Sequence, residues 1–266
     1  MSVGCLAPDC LDGRLALVTG AGSGIGRAVA ERLAALGCAV IGVGRRAAAL
    51  EETGARIAAL GGRFEPLPGD LRRDETVAAV ARRLADGPGL DLLVNNAGGQ
   101  FYAPAAAISR RGWDAVIDLN LTALFTLIQA CRPALARRRG AVVNLSLSGV
   151  ERGSTGLAHT IAARAGVLGL TRTLALEWAP FGIRLNCLAP GLVETPAFAG
   201  AASAETLARL RAAIPLGRAT DPAEVAELVA FLATPAAAMI TGQLLHLDGG
   251  AALGPGLHML EGAPSP

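Results

Sequence analysis

At 266 residues the chain suits one α/β domain with a sizeable core, and a net charge of +2 with both signs scattered argues against a nucleic-acid or membrane surface. No apolar run reaches the ~18 residues of a membrane span, the start lacks the basic-then-apolar pattern of a secretory leader, and the last residues, Ala263-Pro264-Ser265-Pro266, are no peroxisomal Ser-Lys-Leu signal. The five cysteines (Cys5, Cys10, Cys38, Cys131, Cys187) are odd in number and form no CxxC pair, so free thiols, no metal and a cytoplasmic, reducing location are expected. Every basic side chain is an arginine, since the sequence holds no lysine, and with few aromatics the core must be built from Leu, Val, Ile and Ala.

Residues 1–12 read as a loose, flexible arm. The stretch Leu15–Gly26, LALVTGAGSGIG, is an apolar run that ends in Val18 and Thr19 and breaks at Gly20. It predicts a short buried strand and a turn carrying Gly20, Gly22, Gly24 and Gly26. Arg27–Leu36 follows with Ala28, Val29, Leu33 and Leu36 on roughly one helical face. Glycine tolerates positive φ and lets a ligand approach the backbone. The helix start offers free N–H groups and the positive end of its dipole. Strand, glycine turn and helix together predict a pyrophosphate site. A second strand over Ala39–Val43 ends in Gly44-Arg45-Arg46, before a helix over Ala47–Leu60. A site preferring NAD places Asp or Glu there for the ribose 2′-hydroxyl. Arg45 and Arg46 can instead pair with a 2′-phosphate, which favours NADP over NAD; the plainer reading is two solvated arginines opening a helix.

A third strand near Arg63–Leu67 leads into Asp70-Leu71, and Asp74–Ala85 is helical. Leu90–Val94 is the fourth strand, and its small polar end, Asn95-Asn96-Ala97-Gly98, is what a ligand crevice at the carboxyl edge of a parallel sheet requires. Trp113–Ala136 is one long helical pattern broken only near Pro133. Ala141–Leu145 is the fifth strand, followed by a loop rich in Ser and Gly from Ser146 to Gly156. Leu157–Trp178 is a second long helix, Ile183–Leu188 the sixth strand, and Pro190-Gly191 follows. Glu205–Ala213 and Ala223–Ala233 read as helices, and Leu244–Leu247 as the last strand before Asp248-Gly249-Gly250. The alternation predicts a single α/β domain over residues 13–250, with a parallel, seven-stranded sheet, helices on both faces and a tail over residues 251–266.

Thr19–Gly26, Asp70-Leu71, Asn95–Gly98, Asn120, Pro190-Gly191 and Asp248–Gly250, in this order and spacing, resemble the short-chain dehydrogenase/reductase family over about residues 12–250. The resemblance implies a doubly wound Rossmann domain, usually a tetramer or dimer, in which the two long helices often meet a neighbouring subunit; burial within one subunit would explain them as well. It implies a nicotinamide cofactor held by Gly20, Ser23, Gly24, Ile25, Gly26, Arg45, Arg46, Asp70, Leu71, Asn96, Ala97, Gly98, Arg164, Pro190, Gly191, Val193 and Thr195. The family works with an Asn, a Ser, a Tyr and a Lys. Anchored on Ala165–Leu170, the Lys position is Arg164, the Tyr position Thr160 and the Ser position Leu147, flanked by Ser146 and Ser148. Of the four, Asn120 alone is kept. A guanidinium can still hold ribose hydroxyls but cannot pass protons at neutral pH, and a Thr hydroxyl is far too weak an acid to replace a phenol unaided.

Gly98-Gly99-Gln100-Phe101, the run Ala158–Val167 and Leu176-Glu177-Trp178 are similar to the trans-2-enoyl-CoA and 2,4-dienoyl-CoA reductase branch. That likeness implies hydride addition to a carbon–carbon double bond conjugated to a thioester, with the Gln100 amide stabilising the developing enolate oxygen. The expected proton donor is water or one of His159, Thr160, Ser146, Ser148 and Tyr102. Tyr102, the one tyrosine, reads first as a pocket-wall or surface aromatic, and His159 as a satisfied polar group. Arg110-Arg111 and Arg137–Arg139 can meet CoA phosphates or serve as exposed helix-end charges. Catalysis is thus expected from Asn120, Gln100, Ser146, His159, Thr160 and Arg164, on a small-molecule substrate such as an acyl-CoA. The rival readings are a carbonyl reductase or alcohol dehydrogenase with a relocated acid, and a non-redox or pseudo-enzyme that only binds the cofactor.

Overall fold

The sheet is parallel throughout, with strand order β3-β2-β1-β4-β5-β6-β7. The strands are β1 (Leu15–Thr19), β2 (Ala39–Gly44), β3 (Arg63–Pro68), β4 (Leu92–Asn95), β5 (Ala141–Leu145), β6 (Arg184–Pro190) and β7 (Leu244–Leu247). The computed structural model describes residues 6–195 and 204–254. Its helices are α1 (Gly24–Ala35), α2 (Ala47–Ala59), α3 (Asp74–Ala85), α4 (Arg110–Ile117), α5 (Ala123–Arg138), α6 (Ala158–Glu177), α7 (Ala204–Ala212) and α8 (Pro222–Ala233).

Buried parallel strands read as continuous apolar runs because both faces are covered. Alternate side chains therefore enter different layers. Ala16 and Val18 join α1, α2 and α8 through Val29, Leu50 and Val229. Leu17 joins α3, α5 and α6 through Val80, Leu127 and Val167. The chain runs from β1 outward to β3, then crosses back to β4 on the other side of β1. That reversal between β1 and β4 opens a crevice at the carboxyl ends of the strands.

Helix α8 is fixed at its start by a reciprocal cap. The Asp221 carboxylate accepts from the Ala223 N–H at 2.8 Å, the Glu224 carboxylate accepts from the Asp221 N–H at 2.8 Å, and Pro222 occupies the first turn. Replacing Asp221 by Ala is expected to cost about 1 kcal/mol and to lower Tm by about 2–4 °C. Thermal unfolding checks this, and an unchanged Tm would remove the cap from the account.

Two expectations are corrected. The long central helix is not broken near Pro133, which sits inside α5. Pro133 and Gln129, the residue four before it, are both exposed, so water can serve the carbonyl that Pro133 leaves without a donor. The interruption comes earlier, at Asp118–Thr122, as a single wide turn of π type centred on Asn120. The arm is not loose where it is described: Leu11 is buried, its N–H donates to the Leu36 carbonyl at 3.0 Å, and Leu6 and Cys10 pack on the core. Residues 1–5 lie outside the described residues, as do residues 255–266 of the expected tail; residues 251–253 form a short turn. By length and composition alone the Arg110–Arg138 run could cross a membrane, but here Leu127, Ile128 and Cys131 bury it against the sheet. Cys38, Cys131 and Cys187 are buried free thiols and Cys10 is a half-buried one. Burial pushes Cys38 and Cys131 up to about 12.

Candidate active site

Thr19 ends β1 and ties it to β4. Its hydroxyl, 1% exposed, accepts from the N–H groups of Asn96 (3.0 Å) and Ala97 (2.9 Å) and donates to the Val94 carbonyl (3.3 Å). Asn96 returns the link by donating its side-chain amide to the Thr19 carbonyl at 2.9 Å. The glycine turn closes against this joint. Gly20 (φ 69°) and Gly24 (φ 53°) hold conformations that side chains resist. Gly26 is required for a different reason: a Cβ there would strike the Gly20 carbonyl and the Asn96 amide. The turn thus delivers the start of α1 to the crevice with Ser23 at its cap, no side-chain hydrogen bond on that cap and no acidic residue in the first turn. Free N–H groups and the helix dipole favour an anion there.

Around this start lies a cleft of about 620 Å³. The turn, Arg45 and Arg46, Asp70 and Leu71, and Asn96–Gly98 line it, and Thr195 lies over Gly24. Both arginines are exposed, and Arg46 donates to the Ser23 hydroxyl at 3.2 Å. Arg27 is turned away into a paired contact with Glu52. A paired hydrogen bond from Arg72 holds the Asp70 carboxyl down at about 2, so it is an ionised acceptor at the rim. Close backbone approach, an uncapped helix start and two exposed cations fit a dinucleotide phosphate chain.

Beyond Gly98 the site is built on the π turn. Asn120 is 1% exposed and its side chain is fully bonded. The amide donates to the carbonyls of Val116 and Gly99, both at 2.8 Å. The oxygen accepts from the Gly99 N–H at 3.2 Å and from Arg164 Nη2 at 2.9 Å. The other Arg164 terminal nitrogen donates to the Leu145 carbonyl at 2.6 Å. Burial brings Arg164 down to about 10, so it stays cationic at neutral pH. Gly98 presses directly on this clamp, where a Cβ would meet the guanidinium.

Of the expected cofactor residues, Gly20, Ser23, Gly24, Ile25, Arg45, Arg46, Asp70, Leu71, Asn96, Ala97, Gly98 and Thr195 line the cleft. Gly26 packs against Gly20 and Asn96 and Arg164 against Gly98, both behind the lining, whereas Pro190, Gly191 and Val193 do not line it: Gly191 abuts Asp248 and Val193 bridges to Thr220. Val43, Gly44, Gly69 and Leu119 also line the cleft and were not singled out from the sequence, nor was the role of Thr19. The signal for the first three was their place at the carboxyl ends of β2 and β3, on the β1 side of the switch point.

The expected catalytic residues do not share one wall. Ser146 is 7% exposed, and its buried hydroxyl has no partner. His159 is fully buried under Phe101, edge to face at 4.3 Å between ring centres. Its Nδ1 accepts from the Thr160 N–H at 2.8 Å, so the proton sits on Nε2, which is buried without a partner. The Thr160 hydroxyl is buried with it, 3.2 Å from the same Nδ1. Gln100 is exposed, just past Gly98. The expected CoA contacts divide. Arg110 pairs with Asp114. Arg137 and Arg138, at the end of α5, are held by the Leu84 carbonyl and by Asp91, at the opposite edge of the sheet from the cleft.

Residues 20–252 match the family profile described as enoyl-(acyl carrier protein) reductase. The chain is 37% identical over 255 residues to a probable 2,4-dienoyl-CoA reductase of Bacillus subtilis, covering 92% of this chain and 99% of that one. It is 38% identical over 244 residues to the 3-oxoacyl-[acyl-carrier-protein] reductase FabG of Vibrio cholerae, covering 90% and 98%. A crystal structure of a candidate NAD(P)-dependent gluconate 5-dehydrogenase from Beutenbergia cavernae, with NADP at low occupancy, superposes with a TM-score of 0.88 at 39% identity over 93% of this chain and all of that one.

Proposed function

The chain belongs to the short-chain dehydrogenase/reductase family of oxidoreductases, and from that premise we propose that it uses NADPH to reduce an activated carbon–carbon double bond in an enoyl thioester or enone. The observation that carries this reading is the state of α6. Read in the family's register, Thr160 and Arg164 take the Tyr and Lys positions, and here one is a buried hydroxyl and the other a guanidinium committed to Leu145 and Asn120. Neither is an acid that can serve a carbonyl oxygen at neutral pH. A reaction whose proton goes to carbon, after charge has moved to a thioester oxygen, does not need one at that place.

The roles divide by position. The start of α1 takes the pyrophosphate through Gly20, Ser23, Gly24, Ile25 and Gly26, and Arg45 with Arg46 takes the 2′-phosphate. Asn96 and Ala97, held by Thr19, and Gly98, backed by Arg164 and Asn120, support the nicotinamide end. Bound there, the reduced nicotinamide supplies the hydride. Gln100 offers its amide N–H to the thioester oxygen as charge develops. The dienoyl-CoA reductase relative supports an acyl-CoA substrate. The FabG relative supports a second reading, reduction of a 3-oxoacyl thioester.

The test is NADPH consumption with 2-enoyl, 2,4-dienoyl and 3-oxoacyl thioesters of matched chain length. Turnover of the first two is the expected result; turnover confined to the 3-oxo substrate would move the assignment to carbonyl reduction. In the same assay, Arg45→Ala with Arg46→Ala is expected to weaken NADPH by about 10–100-fold, as two lost charge-assisted contacts imply, while NADH changes little. Equal weakening of both would defeat the phosphate argument.

A further inference from the structure

The double-bond reading leaves the α-carbon without a proton donor, and the interior offers none. Asn120 has both amide hydrogens and both oxygen lone pairs engaged, so it has no free polar group to order a water. Arg164 is held by two acceptors behind Gly98. His159 is sealed beneath Phe101, and the Thr160 hydroxyl is buried beside its Nδ1. Ser146 is buried, and Ser148 is an aliphatic hydroxyl with no base against it among the described residues. His246 stands on β7, three strands from β4, against Glu151.

The segment that follows the cleft-lining Gly98 is different. Residues 98–103 leave β4 and cross to the loop after β5. Phe101 is seated between His159 and Gly112, and the Ala103 N–H donates to the Gly156 carbonyl at 3.1 Å. Tyr102 lies between these two anchors. It is 59% exposed, its ring borders Gly156, and its phenol oxygen is 3.5 Å from Gln100 Nε2. An amide that can donate two hydrogens and a phenol thus stand side by side, four residues or fewer beyond Gly98.

We infer that Tyr102 is the acid that protonates the substrate's α-carbon; the inference rests on the double-bond reading above. One Gln100 hydrogen serves the thioester oxygen and the other holds the phenol beside it. The substrate gains a hydride at its β-carbon from the reduced nicotinamide, and the double-bond electrons move to the α-carbon and thioester oxygen. The α-carbon then forms its bond to hydrogen as the Tyr102 O–H bond breaks. The phenolate recovers its proton from water, which the exposure of Tyr102 permits.

Tyr102→Phe keeps the ring and removes only the hydroxyl. Its turnover of an enoyl thioester is expected to fall about 100-fold, with NADPH affinity and Tm unchanged. Because the sequence holds a single tyrosine, protein labelled with 3-fluorotyrosine gives one fluorine resonance. That resonance is expected to shift when the saturated thioester product binds the NADP-loaded protein. A Tyr102→Phe rate within a factor of about two of wild type, a loss of NADPH affinity that accounts for the whole defect, or a resonance indifferent to product would each overturn the assignment. Wild-type protein that binds NADPH but leaves enoyl thioesters untouched would instead remove the double-bond reading, and this role with it.

Discussion

Replacing Thr19 by Val is expected to destabilise the protein by about 2–5 kcal/mol, although the two side chains have nearly the same shape. The hydroxyl is 1% exposed and accepts two backbone N–H groups, those of Asn96 and Ala97. Valine leaves both N–H groups, on half-buried residues, without their acceptor, at somewhat less than the full range of about 1–3 kcal/mol each that a buried loss costs. Thr19→Ser keeps the oxygen and loses one methyl, so it is expected to cost about 1 kcal/mol. Urea unfolding of the two variants separates polar from packing effects. Because Asn96 and Ala97 line the cleft, NADPH affinity is expected to fall with stability in the Val variant only. Equal stability of Thr19→Val and wild type would show that the strand-end joint is not held by this hydroxyl.

Gly26→Ala is expected to damage the cofactor site from the inside. Alanine is the better helix former by about 1 kcal/mol, so propensity alone predicts a gain. The geometry opposes it: the added Cβ meets the Gly20 carbonyl and the Asn96 amide, and the carbonyl is backbone that cannot rotate away. Overpacking of this kind costs about 1–3 kcal/mol. Its relief requires α1 to move off the turn, which takes the helix start away from the cleft it lines. NADPH binding is expected to weaken by at least about tenfold, the equivalent of about 1.4 kcal/mol, measured by titration of cofactor fluorescence. Improved stability with unchanged affinity would mean that the turn has more room than its contacts indicate.

Much of this architecture is legible in the sequence because a parallel sheet buried on both faces writes itself as short apolar runs between helical periods. The bounds of α3, β5 and β7 agree with the expected ranges to the residue, and the cleft forms where Thr19–Gly26 and Asn95–Gly98 meet. The π turn was not legible. Apolar side chains continue at helical spacing from Val116 to Leu124, and Pro133 offered a conspicuous but wrong breaking point. Nor was the burial of His159. The sequence reads it first as a satisfied polar group, whereas Phe101, folding back from another loop, seals it with its Nε2 unpartnered. The clamp between Arg164 and Asn120 joins residues 44 positions apart and has no local signature. These failures share a cause: each depends on what a distant segment places against the residue, which periodicity does not record.

The wide turn at Asp118–Thr122 makes this region sensitive to length more than to composition. A π turn accommodates one residue beyond what regular winding allows. Removing one residue there would let α4 and α5 join as an unbroken cylinder, rotated relative to each other by roughly 100°. Trp113 and Val116 would swing to a new bearing, and Asn120 would no longer face Gly99. The number of residues in this segment, as well as their identity, is therefore fixed by the position that Asn120 must hold.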